Sequence, residues 1–182
     1  RFNANGTSDT SFSGDGMIYL SPVAGEPRGA EAVAVQADGK IVVAGYHHVT
    51  STGVREFEVY RLSATGVLDA TCGTAGTGGR TSTSSTYSAP NGMVIQADGK
   101  IVVVGAAKVG GVNNDFAVVR YNTDGSLDTS FGGGDGIVTT PVGAGNDTPY
   151  GIALQTDGKI VVSGYVGTGV GVVRYNTDGS LD

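Results

Sequence analysis

A chain of 182 residues can bury about 70% of its unfolded surface in one core, so it needs no covalent staple to fold. Its single cysteine, Cys72, excludes an internal disulfide, a CxxC redox motif and a thiolate metal site, and leaves the compartment undetermined. A net charge of −6 without any basic stripe makes nucleic acid an unexpected partner, and the longest apolar run, residues 101–107, is too short to span a bilayer.

Thirty-two glycines, many Thr and Ser and few helix formers favour an all-β chain. The start at Arg1, with no charged-then-apolar leader, reads as a mature or excised piece. Residues 1–9 form a polar stretch that leads through a Gly-rich bend into a short strand expected at residues 17–21. The first full unit follows. Its first strand is expected at residues 32–36, and its second, at residues 41–45, is almost continuously apolar, as befits a strand covered on both faces. Between them, Asp38-Gly39 predicts a type I′ hairpin turn with φ above zero at both residues. A third strand over residues 57–62 ends in Arg61 and Leu62. A polar turn and a bend then lead to a Thr/Ser-rich fourth strand over residues 80–84, polar as an outer edge should be.

The same order returns twice. Gln36-Ala37-Asp38-Gly39-Lys40-Ile41-Val42-Val43 recurs as Gln96-Ala97-Asp98-Gly99-Lys100-Ile101-Val102-Val103 and as Gln155-Thr156-Asp157-Gly158-Lys159-Ile160-Val161-Val162. Arg1, Arg61, Arg120 and Arg174 occupy equivalent places, and the first strand always opens on Ala or Gly (Ala32, Gly92, Gly151), which predicts close packing there. The chain therefore reads as a single domain of three copies, over about 23–86, 87–141 and 142–182, with residues 10–22 as an N-terminal closing strand. Four short antiparallel strands per copy, joined by Gly-rich bends, describe the blades of a β-propeller. The third copy stops before its fourth strand, and residues 10–22 offer one without the first three, so their pairing would close a three-bladed ring. The nonapeptides 1–9 and 174–182 are copies of one stretch and compete for one place, as expected of a piece cut from a longer array. Three blades fall below the usual four to eight, so a larger propeller or a homo-oligomer closed by a second chain is the alternative.

The run Asn122-Thr123-Asp124-Gly125-Ser126-Leu127-Asp128-Thr129-Ser130-Phe131-Gly132, the hairpin of residues 151–162 and Arg174-Tyr175-Asn176 together resemble the delta-60 repeat of bacterial tandem-repeat proteins. That resemblance implies a propeller that is secreted or held at the cell surface, and no particular reaction. The strand phasing is also similar to NHL-type propellers, in architecture alone.

Four groups of residues invite chemistry. The Asn-x-Asp-Gly-x-x-Asp turns resemble half a calcium loop, but their charge falls away between copies (Asn3, Asn5, Asp9; Ser63, Thr65, Asp69), so self-bonded Asx-turns are expected and no metal. His47 and His48 are the only histidines. Neighbours on a strand face opposite ways, and the nearby Glu56 and Glu58 lie across a variable segment, so exposed loop histidines are expected. Cys72 stands where other copies have Phe12 and Phe131, which predicts a small buried hydrophobe with repacking of the bend at residues 73–79. The recurring Arg61, Arg120 and Arg174 are expected to fix blade against blade through carboxylates.

No catalytic residue, cofactor or metal is expected. Function on a repeat scaffold sits where the copies differ, here between second and third strands. The expectation is a non-catalytic extracellular scaffold or binding module for a protein or glycan, using Tyr46, His47, His48 and Arg55 on one rim. The alternative is a hydrolase or lyase with its site in the central opening.

Overall fold

The computed structural model describes residues 1–20, 28–73, 80–109 and 113–182, with side chains described throughout these except at 80–89 and 109. The bend at residues 74–79, where repacking around Cys72 was expected, lies outside the described residues, as does the end of the N-terminal strand at residue 21. Ten strands run in chain order: β1 (Arg28–Val35), β2 (Ile41–Val49), β3 (Val54–Leu62), β4 (Arg80–Ile95), β5 (Ile101–Val109), β6 (Asn113–Tyr121), β7 (Ile137–Thr140), β8 (Asp147–Leu154), β9 (Ile160–Val166) and β10 (Gly169–Tyr175). Every pairing is antiparallel between chain neighbours, β1 through β7 in one series and β8 through β10 in another. This is an all-β chain of propeller blades.

The strand β4 joins two blades. The sequence suggested two strands here, residues 80–84 and 92–96; the structure runs them together as one long strand that bends. Its first half pairs with β3 (Tyr60 opposite Arg80) and its second with β5 (Ile95 opposite Ile101). The bend falls where the register slips at Pro90 and Gly92, and β8 slips at the equivalent Pro149 and Gly151. A bulge tolerates proline because the ladder is already interrupted there. The small residues expected in the first strand do pack closely: a side chain at Gly92 would come within 3.1 Å of Ile152 Cγ2.

The hairpin after each first strand corrects one expectation. Gly39 lies at φ +83°, but Asp38 is not at positive φ, so the turn is not type I′. Gly39 N donates to Gln36 O (2.9 Å) and Gln36 N to Lys40 O (2.8 Å), the bonds of a three-residue loop whose last residue alone is left-handed. The reason is local. Asp38 Oδ1 accepts from Lys40 N at 3.1 Å, which holds the aspartate in an ordinary turn conformation and leaves the left-handed position to glycine. The turn at residues 122–126 has the same pair of backbone bonds.

Strand alternation builds the core. On β5, Ile101 and Val103 face the first blade and pack with Val42, Ala44, Phe57 and Val59. Val102 and Val104 face the third blade and pack with Ile160, Val162, Val173 and Tyr175. The middle blade is thus covered on both faces, and its second strand is wholly buried from Ile101 to Val104. The outer blades are covered on one face each. Residues 17–20 pair with no strand among the described residues; Ile18, Tyr19 and Leu20 lie instead beside Val43, Tyr60 and Leu62 of the first blade.

Candidate functional site

Two ends of the blade stack differ in chemistry. At one end lie the Asp-Gly-Lys turns and the Asn-x-Asp-Gly turns, because the first strand ends, and the second begins, where the third ends. There the recurring arginines work alike. Nε of Arg1, Arg61 and Arg120 donates to the carboxylate eight residues on: Asp9 at 2.6 Å, Asp69 at 3.0 Å and Asp128 at 2.6 Å. Nη2 donates to a hydroxyl two residues further, Ser11, Thr71 or Ser130. Nη1 reaches the next repeat and donates to the carbonyl of Ala64, Thr123 or Thr177. A backbone bond runs beside it each time, from Ser13, Gly73 and Gly132 to Thr65, Asp124 and Asp178.

The lysine of each hairpin turn completes this arrangement. Lys40 Nζ lies 3.3 Å from Asp69, Lys100 2.9 Å from Asp128 and Lys159 2.5 Å from Asp182. The Asp69 carboxyl is held well below the usual carboxylate range by the Thr71 hydroxyl and then, against burial, by Arg61 and Lys40. Burial pushes Asp128 upward, but the bonds from Ser130 and Lys100 and the Arg120 charge outweigh it and keep this carboxyl equally low. The Phe131 ring lies under the Arg120 guanidinium at 4.4 Å and against Gly179, where a Cβ would approach it to 2.8 Å. The arginines thus hold blade to blade, but not through the expected carboxylates: each bonded aspartate lies in the arginine's own repeat, and the bond that crosses to the next blade goes to a backbone carbonyl.

The Asn-x-Asp-Gly turns spend their oxygens on themselves. Asp124 Oδ1 accepts from Ser126 N (2.9 Å) and Ser126 Oγ (2.6 Å), while Asn122 Nδ2 donates to Ser126 Oγ and Leu127 O. Among the described residues no three His, Cys, Asp or Glu side chains converge as a metal site. Cys72 is buried, and burial pushes its thiol up, away from the thiolate a nucleophile needs.

The other end carries the β2–β3, β5–β6 and β9–β10 hairpin tips, and here the blades differ. His47 and His48 are not in a loop: the variable segment is mostly strand, extending β2 to Val49 and starting β3 at Val54. The pairing sets His47 opposite Glu56 and His48 opposite Arg55. Hence Tyr46 and His48 share one face with Arg55, whose guanidinium lies 4.6 Å from the Tyr46 ring centroid, and His47 turns to the other. Among the four rim candidates the structure brings Tyr46 and Arg55 into contact and sends His47 elsewhere.

That second face holds a cluster the sequence reading missed. His47 Nδ1 lies 3.8 Å from Glu56 and 3.9 Å from Glu58. Glu58 is fully buried, paired with Arg28 and bonded by the Tyr60 hydroxyl, and Arg28 Nη1 also donates to Tyr60 Oη at 3.0 Å. Burial, reinforced by the Glu58 charge, pushes the Tyr60 phenol up and keeps it a donor. The equivalents of Glu58 and Tyr60 in the second blade are Ala117 and Val119, so the first blade breaks the repeat by charge as well as by length. The signal was in the sequence, as Glu58 and Tyr60 replace apolar or small residues of the other copies and Arg28 stands where the third copy has Asp147, but only the register shows that they meet. A cleft of about 320 Å3, lined by Ile18, Tyr19, Val43 and Leu62, opens beside Arg28 and Tyr60.

Residues 36–71, 96–131 and 155–182 match the β-propeller family described as a domain of unknown function (DUF5122). The chain belongs to that family. The three matches each begin at the hairpin glutamine, and the first two reach Thr71 and Phe131, so a DUF5122 unit contains the whole Arg–Asp–Lys fixing. No curated protein and no solved structure matches the chain. No helix among the described residues is long and apolar enough to cross a membrane.

Proposed function

We propose that this DUF5122 propeller is a non-catalytic repeat scaffold whose first blade presents a binding rim for a protein or glycan. One observation carries the reading. The charged residues that recur are consumed in holding blade to blade, while among the described residues the β2–β3 arm alone offers an arginine stacked on a tyrosine, Arg55 over Tyr46, with His48 opposite Arg55. An aromatic ring with a fixed cation beside it is the kind of surface that anchors a sugar face or a protein side chain. The repeat is read as of the delta-60 type, and on that reading the protein works outside the cell or at its surface in bacteria.

A second reading, a hydrolase or lyase, has one feature in its favour: the buried Glu58 with His47 and Tyr60 beside a cleft. The Glu58 carboxylate is already engaged by Arg28 and Tyr60, as expected of a group that supports structure. Glycan and protein arrays on the purified chain test the preferred reading. Binding lost in Arg55→Ala and Tyr46→Ala supports it. Binding unchanged in both, or turnover on a hydrolase panel that Glu58→Gln abolishes, overturns it.

A further inference from the structure

Of the arginines whose side chains are described, Arg55 alone meets no carboxylate. Arg28, Arg61 and Arg120 pair with Glu58, Asp69 and Asp128, and Arg1 and Arg174 each bond an aspartate eight residues on. The Arg55 guanidinium instead lies against the Tyr46 ring, 4.6 Å from its centroid, and donates no hydrogen bond among the described residues. The residue is exposed. A ring face holds a cation without using up its N–H donors in ion pairs, so the planar fork of Arg55 is fixed in place and still unspent.

The ring beneath it is held in turn. Tyr46 stands opposite Gly29 on β1 and lies over that glycine: a side chain there would come within 2.4 Å of Tyr46 Cε1. In the third blade the equivalent Tyr165 stands opposite Thr148, so this seat for a ring is particular to the first blade. The charges of the arm are sorted by face. His48, opposite Arg55, shares its face, while Glu56 and Glu58 turn to the other. The second blade's equivalent of Glu56 is Asp115, whose carboxyl is pushed up by burial and then by Asp147, the opposite of what a nearby Arg55 would do. An anion that approaches this face of the arm meets a cation and none of the arm's acids.

We propose that this face binds an acidic glycan, with a carboxylate or sulfate of the sugar chain held in the Arg55 fork and His48 beside it. The inference rests on the binding-rim reading and names its ligand class. Two parallel N–H bonds from one guanidinium match the oxygens of such a group. Because Tyr46 already orders the arginine, less side-chain freedom is lost when the anion arrives. The size of the arm favours a sugar over a protein. Residues 46–55 are ten, most of them polar, where a stable protein interface engages about 20–30 residues a side. Exposed Thr50 and Ser51 at the tip add hydroxyls of the kind that meet a sugar's own.

Calorimetric titration of the full chain with polygalacturonate, dextran sulfate, neutral dextran and polyglutamate tests this. One or both of the first two should bind, more weakly as salt rises. Polygalacturonate alone assigns the carboxylate, dextran sulfate alone the sulfate, and either result supports the proposal. Arg55→Lys keeps the charge and loses the fork, and should weaken binding about tenfold or more with the melting temperature unchanged. Gly29→Ala displaces the ring without removing a ligand group and should also weaken it. Lys108→Ala, at an exposed cation of the second blade, should not. Neutral dextran or polyglutamate bound as tightly, with the same dependence on Arg55, keeps the rim and overturns the acidic glycan. Equal losses in Lys108→Ala and Arg55→Lys, as diffuse attraction would give, or no binding to any of the four, overturn it as well. The rim itself falls only if the glycan and protein arrays show nothing that depends on Arg55 and Tyr46.

Discussion

The two ends of the blade stack were built from the same repeats and have opposite characters. At the turn end, Arg61 and Arg120 meet Asp69 and Asp128, a lysine, a hydroxyl and the next blade's carbonyl in the same geometry. At the hairpin end the first blade has Tyr46, His47, Glu56 and Glu58, the second Ala106, Ala107, Asp115 and Ala117, the third Tyr165, Val166, Gly169 and Gly171. Repetition marks the contacts without which blades do not stack. Divergence marks the surface that stacking leaves free to vary.

The sharpest break of that contrast is at Arg120. Its guanidinium is buried, bonds Asp128, Ser130 and the Thr177 carbonyl, and covers Phe131. Removing one partner of a buried pair leaves an uncompensated charge, so Arg120→Ala should cost about 3–5 kcal/mol in urea unfolding. A cost under about 1 kcal/mol, the range of exposed pairs, would show that the turn end does not hold the blades.

Acid attacks the same contacts more gradually. Asp69 and Asp128 titrate lower in the folded chain than in the unfolded one, so their contribution is fully present above the unfolded carboxylate value and is lost progressively as pH falls from there through their lowered folded values. Asp115, at the hairpin end, has the opposite sign. Burial and then the Asp147 charge push its carboxyl up, so it favours the fold in acid and opposes it once pH exceeds its raised value. The urea midpoint should therefore fall between about pH 6 and about pH 3. Asp115→Asn should raise the midpoint at neutral pH and leave the acid loss in place. An acid loss that disappears in Asp115→Asn would reverse the assignment.

What was legible in the sequence follows the same division. The turn end could be read because its chemistry is local or periodic: Asp69 is eight residues from Arg61, and Asp128 eight from Arg120. The double-sided burial of the middle blade showed in the unbroken apolar run from Ile101 to Val104. The turn type was not legible because Asp-Gly fits two loop lengths, and the bond that Asp38 Oδ1 accepts from Lys40 N selects the longer. The Arg28–Glu58–Tyr60 cluster was out of reach because its members lie on two strands thirty residues apart, and a one-residue slip would turn Glu58 to the opposite face. His47 and His48 resemble loop residues in sequence because nothing local shows that the variable segment extends two paired strands.

A smaller effect is expected at the rim. Arg55 and Tyr46 form a cation–π pair near a hairpin tip, and such pairs are worth about 0.5–1 kcal/mol when exposed. Arg55→Ala should shift stability by no more than that while abolishing array binding. A large loss of stability would place Arg55 among the fold contacts and remove the ground for treating this end as the free surface.

The smallest effect is expected at Arg174, and it isolates what the motif needs. Arg174 and Arg120 have the same sequence around them, from the apolar strand before to the Asn-x-Asp-Gly turn after, and both bond an aspartate eight residues on. They differ in the neighbour: the Thr177 carbonyl of the next repeat accepts from Arg120 Nη1, and among the described residues no turn carbonyl is shown accepting from Arg174. If the stabilisation belongs to the junction and not to the motif, Arg174→Ala in dilute solution should leave the urea midpoint unchanged, since exposed ion pairs often contribute nothing measurable. Equal losses at Arg174 and Arg120 in dilute protein would mean that the arginine stabilises its own turn, and that blades are held together by their apolar faces alone.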